Sequence, residues 1–209
     1  MRRRRPHIIG IAGATCSGKS QLARRLKDRL DDRKPIIIST DSYYRDLSAR
    51  TKEEREKHNF DVPDAIEFEL LAEQLKTLAE GEDINRPIYN FSTHTRETDS
   101  ILVSPSDLII VEGLFVLHWE DLRELIDTKI FVNISHDAAL KRRLERDIVE
   151  RGRSRQSIMD QYETTVRPMA ERFVLPTSSF ADILINGEEP MDQIANDIVD
   201  RIQLPDFYQ

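Results

Sequence analysis

The stretch Ile8-Ile9-Gly10-Ile11-Ala12-Gly13-Ala14-Thr15-Cys16-Ser17-Gly18-Lys19-Ser20 decides the fold. An apolar run leads into a glycine-bearing loop, and residues 21–30 continue as an amphipathic helix. Residues Gly13, Ala14, Thr15, Cys16, Ser17, Gly18, Lys19 and Ser20 fit the phosphate-loop pattern G-x-x-x-x-G-K-[ST]. Gly13 and Gly18 allow a turn that a Cβ would obstruct. The loop's N–H groups then form an anion nest, and the following helix presents its positive end to phosphate. Lys19 supplies a mobile positive charge for the outer phosphates, and the Ser20 hydroxyl is a hard oxygen ligand suited to Mg²⁺.

Outward from this loop, short apolar runs alternate with helical periods. Strands are expected at residues 7–12, 35–39, 107–111, 129–133 and 181–185. Residues 66–80 repeat Ile66, Leu70, Leu71, Leu75 and Leu78 at a helical period, and Gly81 stops them. Further helices are expected at 51–58, 119–126, 137–151, 157–173 and 191–202, the fourth of these kinked or broken near Pro168. Two extended runs, 84–89 and 100–103, flank a polar stretch and read as a small β-hairpin excursion. The fold class is therefore α/β: a five-stranded, mostly parallel, doubly wound sheet with helices on both faces. One domain over 1–209 is expected, with a hairpin insertion near 84–103 and an arginine-rich helical lid near 140–160.

Bulk properties narrow the function. The chain has 209 residues and a formal charge of −7, which argues against general nucleic-acid binding. No apolar run reaches the length of a membrane span. The single cysteine, Cys16, excludes an intrachain disulfide and fits a reducing, cytoplasmic setting. Nucleotide in the loop should shield Cys16 from alkylation. Arg2 to Arg5 form a basic start; residues 1–6 are expected to be disordered, with a localisation or anion-binding patch as the other reading.

Three features bear on chemistry. Asp41 ends the second strand, which is expected beside the phosphate-loop strand, where a carboxylate accepts a proton from an attacking hydroxyl; a turn cap uses the same residue type. Glu112 closes a buried strand, where an acid holds Mg²⁺ directly or through water; it also suits a turn before Gly113. Arg142, Arg143, Arg146, Arg151, Arg153 and Arg155 form a run suited to phosphoryl oxygens, although Glu145, Asp147 and Glu150 give the same helix ion-pair partners. Tyr89, Phe91 and His94 suit either a flat ring or packing within the hairpin.

Taken together, these residues resemble the uridine kinases of the phosphoribulokinase-like branch. The likeness runs from about Ile8 to Ile185. It is carried in order by Gly13–Ser20, Thr40-Asp41-Ser42-Tyr43-Tyr44, Asn59-Phe60-Asp61-Val62-Pro63-Asp64-Ala65, Pro87-Ile88-Tyr89-Asn90-Phe91, Thr93-His94-Thr95-Arg96, Val111-Glu112-Gly113, Arg146-Asp147, Glu150-Arg151-Gly152-Arg153, Gln161-Tyr162 and Val166-Arg167-Pro168.

The resemblance implies ATP-dependent phosphorylation of uridine, and of cytidine, at the 5′-hydroxyl. Asp41 would be the general base and Asp61 would hold the ribose 2′ and 3′ hydroxyls. Tyr44 and Phe60 would line that pocket, Tyr89 and Phe91 would pack on the pyrimidine, and His94 would read its polar edge. Arg143 and Arg146 would sit near substrate and phosphate, with Arg151 and Arg153 in the lid and Gln161 on the ribose side. Lys19, Ser20 and Glu112 would handle phosphate and Mg²⁺.

The same likeness implies a homotetramer with feedback from pyrimidine nucleoside triphosphates. Asn186-Gly187-Glu188-Glu189-Pro190 stands where the family usually carries Arg-Gly-Gly, so GTP is a second candidate donor beside ATP. Val62 and Asn90 replace the histidine and aspartate of many members. The competing readings are a phosphoribulokinase-type sugar-phosphate kinase, which offers no ring to the aromatic cluster, and a nucleotide-dependent switch, which lacks an Asn/Thr-Lys-x-Asp guanine motif here.

Overall fold

The computed structural model describes residues 5–202 and Leu204. In chain order, β1 (His7–Gly13) feeds α1 (Lys19–Arg29), and β2 (Ile36–Ser39) ends in the 3₁₀ turn Thr40–Tyr43. Then come α2 (Lys52–Glu56), α3 (Phe68–Glu80) and the strands β3 (Ile84–Asn90) and β4 (Thr95–Val103). The chain continues through β5 (Leu108–Glu112), α4 (Glu120–Leu125), β6 (Thr128–Asn133), α5 (His136–Arg151), α6 (Arg155–Gln161) and α7 (Arg167–Met169), and closes with β7 (Ile183–Asn186) and α8 (Met191–Arg201).

The main sheet has the order β2-β5-β1-β6-β7, and every adjacent pair runs parallel. Its inner strands β5 and β1 are buried on both faces by simple alternation, while the edge strand β7 leaves Leu184 exposed. Ile8 and Ala12 of β1, with Ile109 and Val111 of β5, join one core together with Leu71, Leu75 and Phe115. Ile9 and Ile11, with Leu108 and Ile110, join the other, against Leu22 and Leu26 of α1 and Ile194 and Ile198 of α8. The five expected sheet strands and the doubly wound architecture are present.

One expectation about topology is corrected. Asp41 follows β2, which does not adjoin β1; β5 lies between them. A doubly wound sheet places its strands out of sequence order, so chain proximity gave the wrong neighbour. As a result Glu112, at the end of β5, lies between the phosphate loop and Asp41.

Around Pro168 the helix is distorted, as one of the two expected outcomes has it, but it is not broken. Residues Tyr162–Val166 and Ala170–Val174 form wide π turns on either side of it, and the junctions at Tyr162, Arg167 and Ala170 keep right-handed helical dihedrals. The helix widens around the proline and does not break; wider turns accommodate the missing N–H.

Smaller differences concern element ends. The second hairpin strand begins at Thr95, five residues before the expected run, because hairpin pairing extends through Tyr89–Arg96. The charged segment near 51–58 helps itself at its start through a reciprocal capping box between Thr51 and Glu54, and its helix ends at Glu56. At the chain start, residues 1–4 of the expected disordered run lie outside the described residues. Arg5 and Pro6 are held: Pro6 is buried, and Arg5 bonds the Leu125 carbonyl and pairs with Asp127. No helix among the described residues is long and apolar enough to cross a membrane.

Candidate active site

The carboxyl ends of β1, β5 and β2 bring three sequence-distant groups into one cleft. It has a volume of about 370 Å³ and is lined by Ser20, Asp41, Glu112, Tyr89 and Phe91, together with Arg24. A larger hollow of about 510 Å³ opens where the strands begin, beside His7 and Arg201. Its acids are committed: Asp127 accepts the Ile8 N–H at 2.8 Å and Asp182 the Lys129 N–H at 2.7 Å. Open α/β sheets bind ligands at the carboxyl edge, and the smaller cleft occupies that edge.

The phosphate loop has the backbone its sequence demands. Gly13 has φ 148°, and a Cβ there would stand 2.3 Å from the Val132 carbonyl oxygen. Lys19 starts α1 and folds back so that its Nζ donates to the Ala14 carbonyl at 2.8 Å. Burial lowers its ammonium pKa, while Glu112 and Asp41 oppose that shift. The buried Ser17 hydroxyl has no hydrogen-bond partner among the described residues, which leaves a polar atom unsatisfied inside the cradle. Cys16 is partly buried and adopts the left-handed region at φ 58°.

On the next strand end, Ser20 Oγ donates to Glu112 Oε2 at 3.0 Å, and Glu112 is buried. Asp41 follows in the turn after β2, where the Ser39 hydroxyl accepts its N–H at 3.4 Å. Its side chain is exposed to the cleft itself, yet protein packed around the cleft strips away much of the bulk water. That desolvation, with the Glu112 charge added, pushes the Asp41 carboxyl up to about 6; Lys19, Arg146 and Arg151 pull the other way.

A second wall is aromatic. The rings of Tyr44 and Tyr89 lie 5.3 Å apart, Tyr44 and Phe60 5.6 Å, and Tyr89 and Phe91 5.2 Å. His94 stacks on Phe60 at 4.6 Å with its backbone in the left-handed region. Burial lowers the His94 pKa, so its ring is neutral at pH 7, with one nitrogen able to donate and the other to accept. Arg96 clasps this wall to the turn after β2, donating to the carbonyls of Tyr44 at 3.0 Å and Tyr43 at 3.2 Å. Asp61 has its carboxyl pKa raised by burial and is opposed by the charges of Arg143, Arg146 and Arg151.

Arginines of α5 and of the segment that follows it form the third side. Arg143 donates to Thr15 Oγ1 at 3.2 Å and to Gln161 Oε1 at 3.1 Å, tying α5 to both the phosphate loop and α6. Arg153 reaches the same Gln161 oxygen at 2.6 Å. Arg142 turns away from this group and instead links the Cys16 and Gly187 carbonyls, at 3.3 and 2.9 Å. Glu188 accepts the Ser135 N–H at 3.1 Å, so one of the two acids in the divergent loop is already engaged.

Thus Lys19, Ser20, Asp41 and Glu112 form one group, Tyr44, Phe60, Tyr89, Phe91 and His94 a second, and Arg143, Arg146, Arg151, Arg153 and Gln161 a third. Two residues to which the sequence reading gave no part in the chemistry, Asp147 being read only as an ion-pair partner on the arginine-bearing helix, prove central to the geometry. Asp147 is fully buried among arginines, and Arg96 tethers the hairpin. The acid at helical spacing amid Arg143, Arg146 and Arg151 was the available signal for Asp147.

A family model described as Phosphoribulokinase / Uridine kinase family matches residues 8–193. The chain is 46% identical over 195 residues to the uridine kinase of Clostridium novyi (strain NT), covering 93% of each protein. It is 43% identical over 198 residues to the uridine kinase of Ligilactobacillus salivarius (strain UCC118), covering 95% of this chain and 92% of that one. The structure of phosphoribulokinase from Rhodobacter spheroides is similar at a TM-score of 0.65 and 19% identity, covering 91% of this chain and 75% of that one. At that identity the likeness is one of fold. The ordered motifs, the parallel sheet with its phosphate loop and the match across nearly the whole chain agree: this protein belongs to the phosphoribulokinase/uridine kinase family.

Proposed function

We propose that this protein transfers the γ-phosphoryl group of ATP to the 5′-hydroxyl of uridine, and of cytidine, releasing ADP and the nucleoside monophosphate. The observation that carries the reading is one cleft in which Asp41, the Ser20–Glu112 pair and the ring wall of Tyr89 and Phe91 meet beside the phosphate loop. The names of the relatives, uridine kinase at 46% and 43% identity, point the same way.

In this reading the phosphate-loop amides and Lys19 hold the outer phosphates. Asp41 accepts the 5′-hydroxyl proton as the oxygen attacks phosphorus and the bond to the ADP oxygen breaks. A carboxylate raised to about 6 remains ionised at pH 7 and is more basic than an ordinary aspartate. Asp61 receives the ribose 2′ and 3′ hydroxyls. Tyr44 and Phe60 line that pocket, Tyr89 and Phe91 cover the pyrimidine, and neutral His94 offers a donor and an acceptor to its edge. The Gln161 amide N–H₂ has no partner among the described residues and is available for the ribose side, since Arg143 and Arg153 both use its oxygen. Arg143 and Arg146, with Arg151 and Arg153, neutralise charge on the transferring group.

The donor set also fits Mg²⁺. Ser20 Oγ and the Glu112 carboxylate are hard oxygens converging at 3.0 Å on the cleft, and no group of three His, Cys, Asp or Glu side chains forms a closed metal cage among the described residues. Mg²⁺ characteristically takes one or two protein ligands, with phosphate and water as the rest. When bound it supplies charge neutralisation to the phosphates. GTP as donor, a cytoplasmic setting and a homotetramer belong to the same reading.

Product analysis with ATP or GTP and a panel of uridine, cytidine, adenosine, ribose and ribulose 5-phosphate tests it. UMP and CMP should form and ribulose 5-phosphate should stay unreacted. Phosphorylation of ribulose 5-phosphate with inert uridine would overturn the assignment.

A further inference from the structure

We propose that Asp147 is the positioning residue of the lid: it grips Arg146 along one edge of its guanidinium so that the remaining donors face the phosphate-transfer cleft. The assignment rests on the reading that Arg146 stabilises the transferring phosphoryl group.

Asp147 lies on α5 with no exposed surface. Arg146 approaches one of its oxygens twice, Nε and Nη2 both at 2.8 Å from Oδ1. That side-on grip fixes the guanidinium plane and leaves Nη1 without a hydrogen-bond partner among the described residues. Three more arginines gather on the same carboxylate: Arg143 Nε at 3.6 Å, Arg153 Nη1 at 3.6 Å and Arg151 Nε at 3.7 Å. Among the described residues Asp147 is the only ion-pair partner of all four.

The stoichiometry separates positioning from plain packing. A buried ion pair built for stability matches one charge with one; only Asp147 and Arg143 are buried, while Arg146, Arg151 and Arg153 keep 31%, 44% and 28% of their side chains exposed. Here four cations share one anion, and the buried Oδ2 makes no hydrogen bond among the described residues. The surplus positive charge is balanced when an anion of several charges enters from the phosphate-loop side, to which Arg143 is already tied through Thr15. Asp147 thus holds the arginines at a fixed separation before the triphosphate arrives, so little reorganisation is left for the transfer step.

A double-mutant cycle on the purified full-length enzyme tests this, with turnover, the KM for uridine and the melting temperature measured for Arg146→Ala, Asp147→Asn and the double variant. Arg146→Ala should lower kcat by roughly 100-fold or more. Asp147→Asn, nearly identical in shape, should lower kcat about 10- to 100-fold with the uridine KM within about threefold. The double variant should be no slower than Arg146→Ala alone, within about twofold.

Losses that multiply would show Asp147 acting independently of Arg146 and overturn the inference alone. Full activity in Arg146→Ala would overturn the phosphate reading of Arg146, and the inference with it. Should Asp147→Asn fail to fold, Asp147→Glu serves: it keeps the charge, displaces the grip, and should lower kcat without adding to Arg146→Ala. Wild-type kcat in Asp147→Glu would overturn the proposal.

Discussion

Gly113 lies so close to Thr40 that a Cβ on it would stand 1.8 Å from the Thr40 Oγ1 and 2.8 Å from its Cβ. Gly113 follows Glu112 and Thr40 precedes Asp41, while Ser39 and Glu112 are level across the β2–β5 pair. The bare α-carbon therefore sets the spacing of the two carboxylates. Thr40 is itself buried, so it has nowhere to retreat. Gly113→Ala should cost about 1–3 kcal/mol of stability. It should also lower turnover, because the two strand ends are forced apart. Denaturant melts and steady-state rates check this; native values in both would mean that the contact relaxes freely.

The raised carboxyl of Asp41 sets a pH dependence. Protonated Asp41 cannot accept the hydroxyl proton, so kcat/KM for uridine should fall as pH drops through about 6. An ordinary aspartate would hold its activity down to about pH 4. Burial lowers the His94 pKa from the ordinary histidine range, so its imidazole also takes up a proton on the acid side; His94→Ala is the control, and its acid limb should stay in place. A profile flat down to pH 5 would remove Asp41 as the titrating base.

How much of this was legible in the chain differs by element. The phosphate loop was fully readable, since Gly13, Gly18, Lys19 and Ser20 are dictated locally by backbone geometry and charge. The strands were readable because parallel strands covered on both faces leave unbroken apolar runs such as residues 108–111. Sheet order was not, because nothing in residues 36–41 records that β5 inserts beside β1. Whether the helix kinks or breaks at Pro168 was left open for a related reason. A proline forbids one hydrogen bond, and only the surrounding packing decides whether the turn widens or breaks. Asp147 was legible as an ion-pair partner of the arginines, but not as a buried one, because an acid amid arginines on a helix has the same spacing as a solvent-exposed ion-pair ladder.

His94 stacks on Phe60 with its ring nitrogens unpartnered among the described residues. A neutral imidazole can meet either the amino and ring nitrogen of cytosine or the carbonyl and imide of uracil. His94→Ala should change the ratio of kcat/KM for cytidine over uridine by about fivefold or more, the scale of one buried hydrogen bond. Competition assays with both nucleosides present read the ratio directly. An unchanged ratio would leave His94 with a packing role only.

The central claim is that Asp41 takes the proton from the acceptor hydroxyl. Single-turnover transfer from ATP to uridine by Asp41→Asn, with uridine affinity measured on the same preparation, tests it most directly. The account predicts a transfer rate lower by about 100- to 10,000-fold. It predicts a uridine affinity within about threefold of wild type, since the amide keeps the shape of the cleft and loses only its basicity. Transfer at near wild-type rate by Asp41→Asn would contradict it.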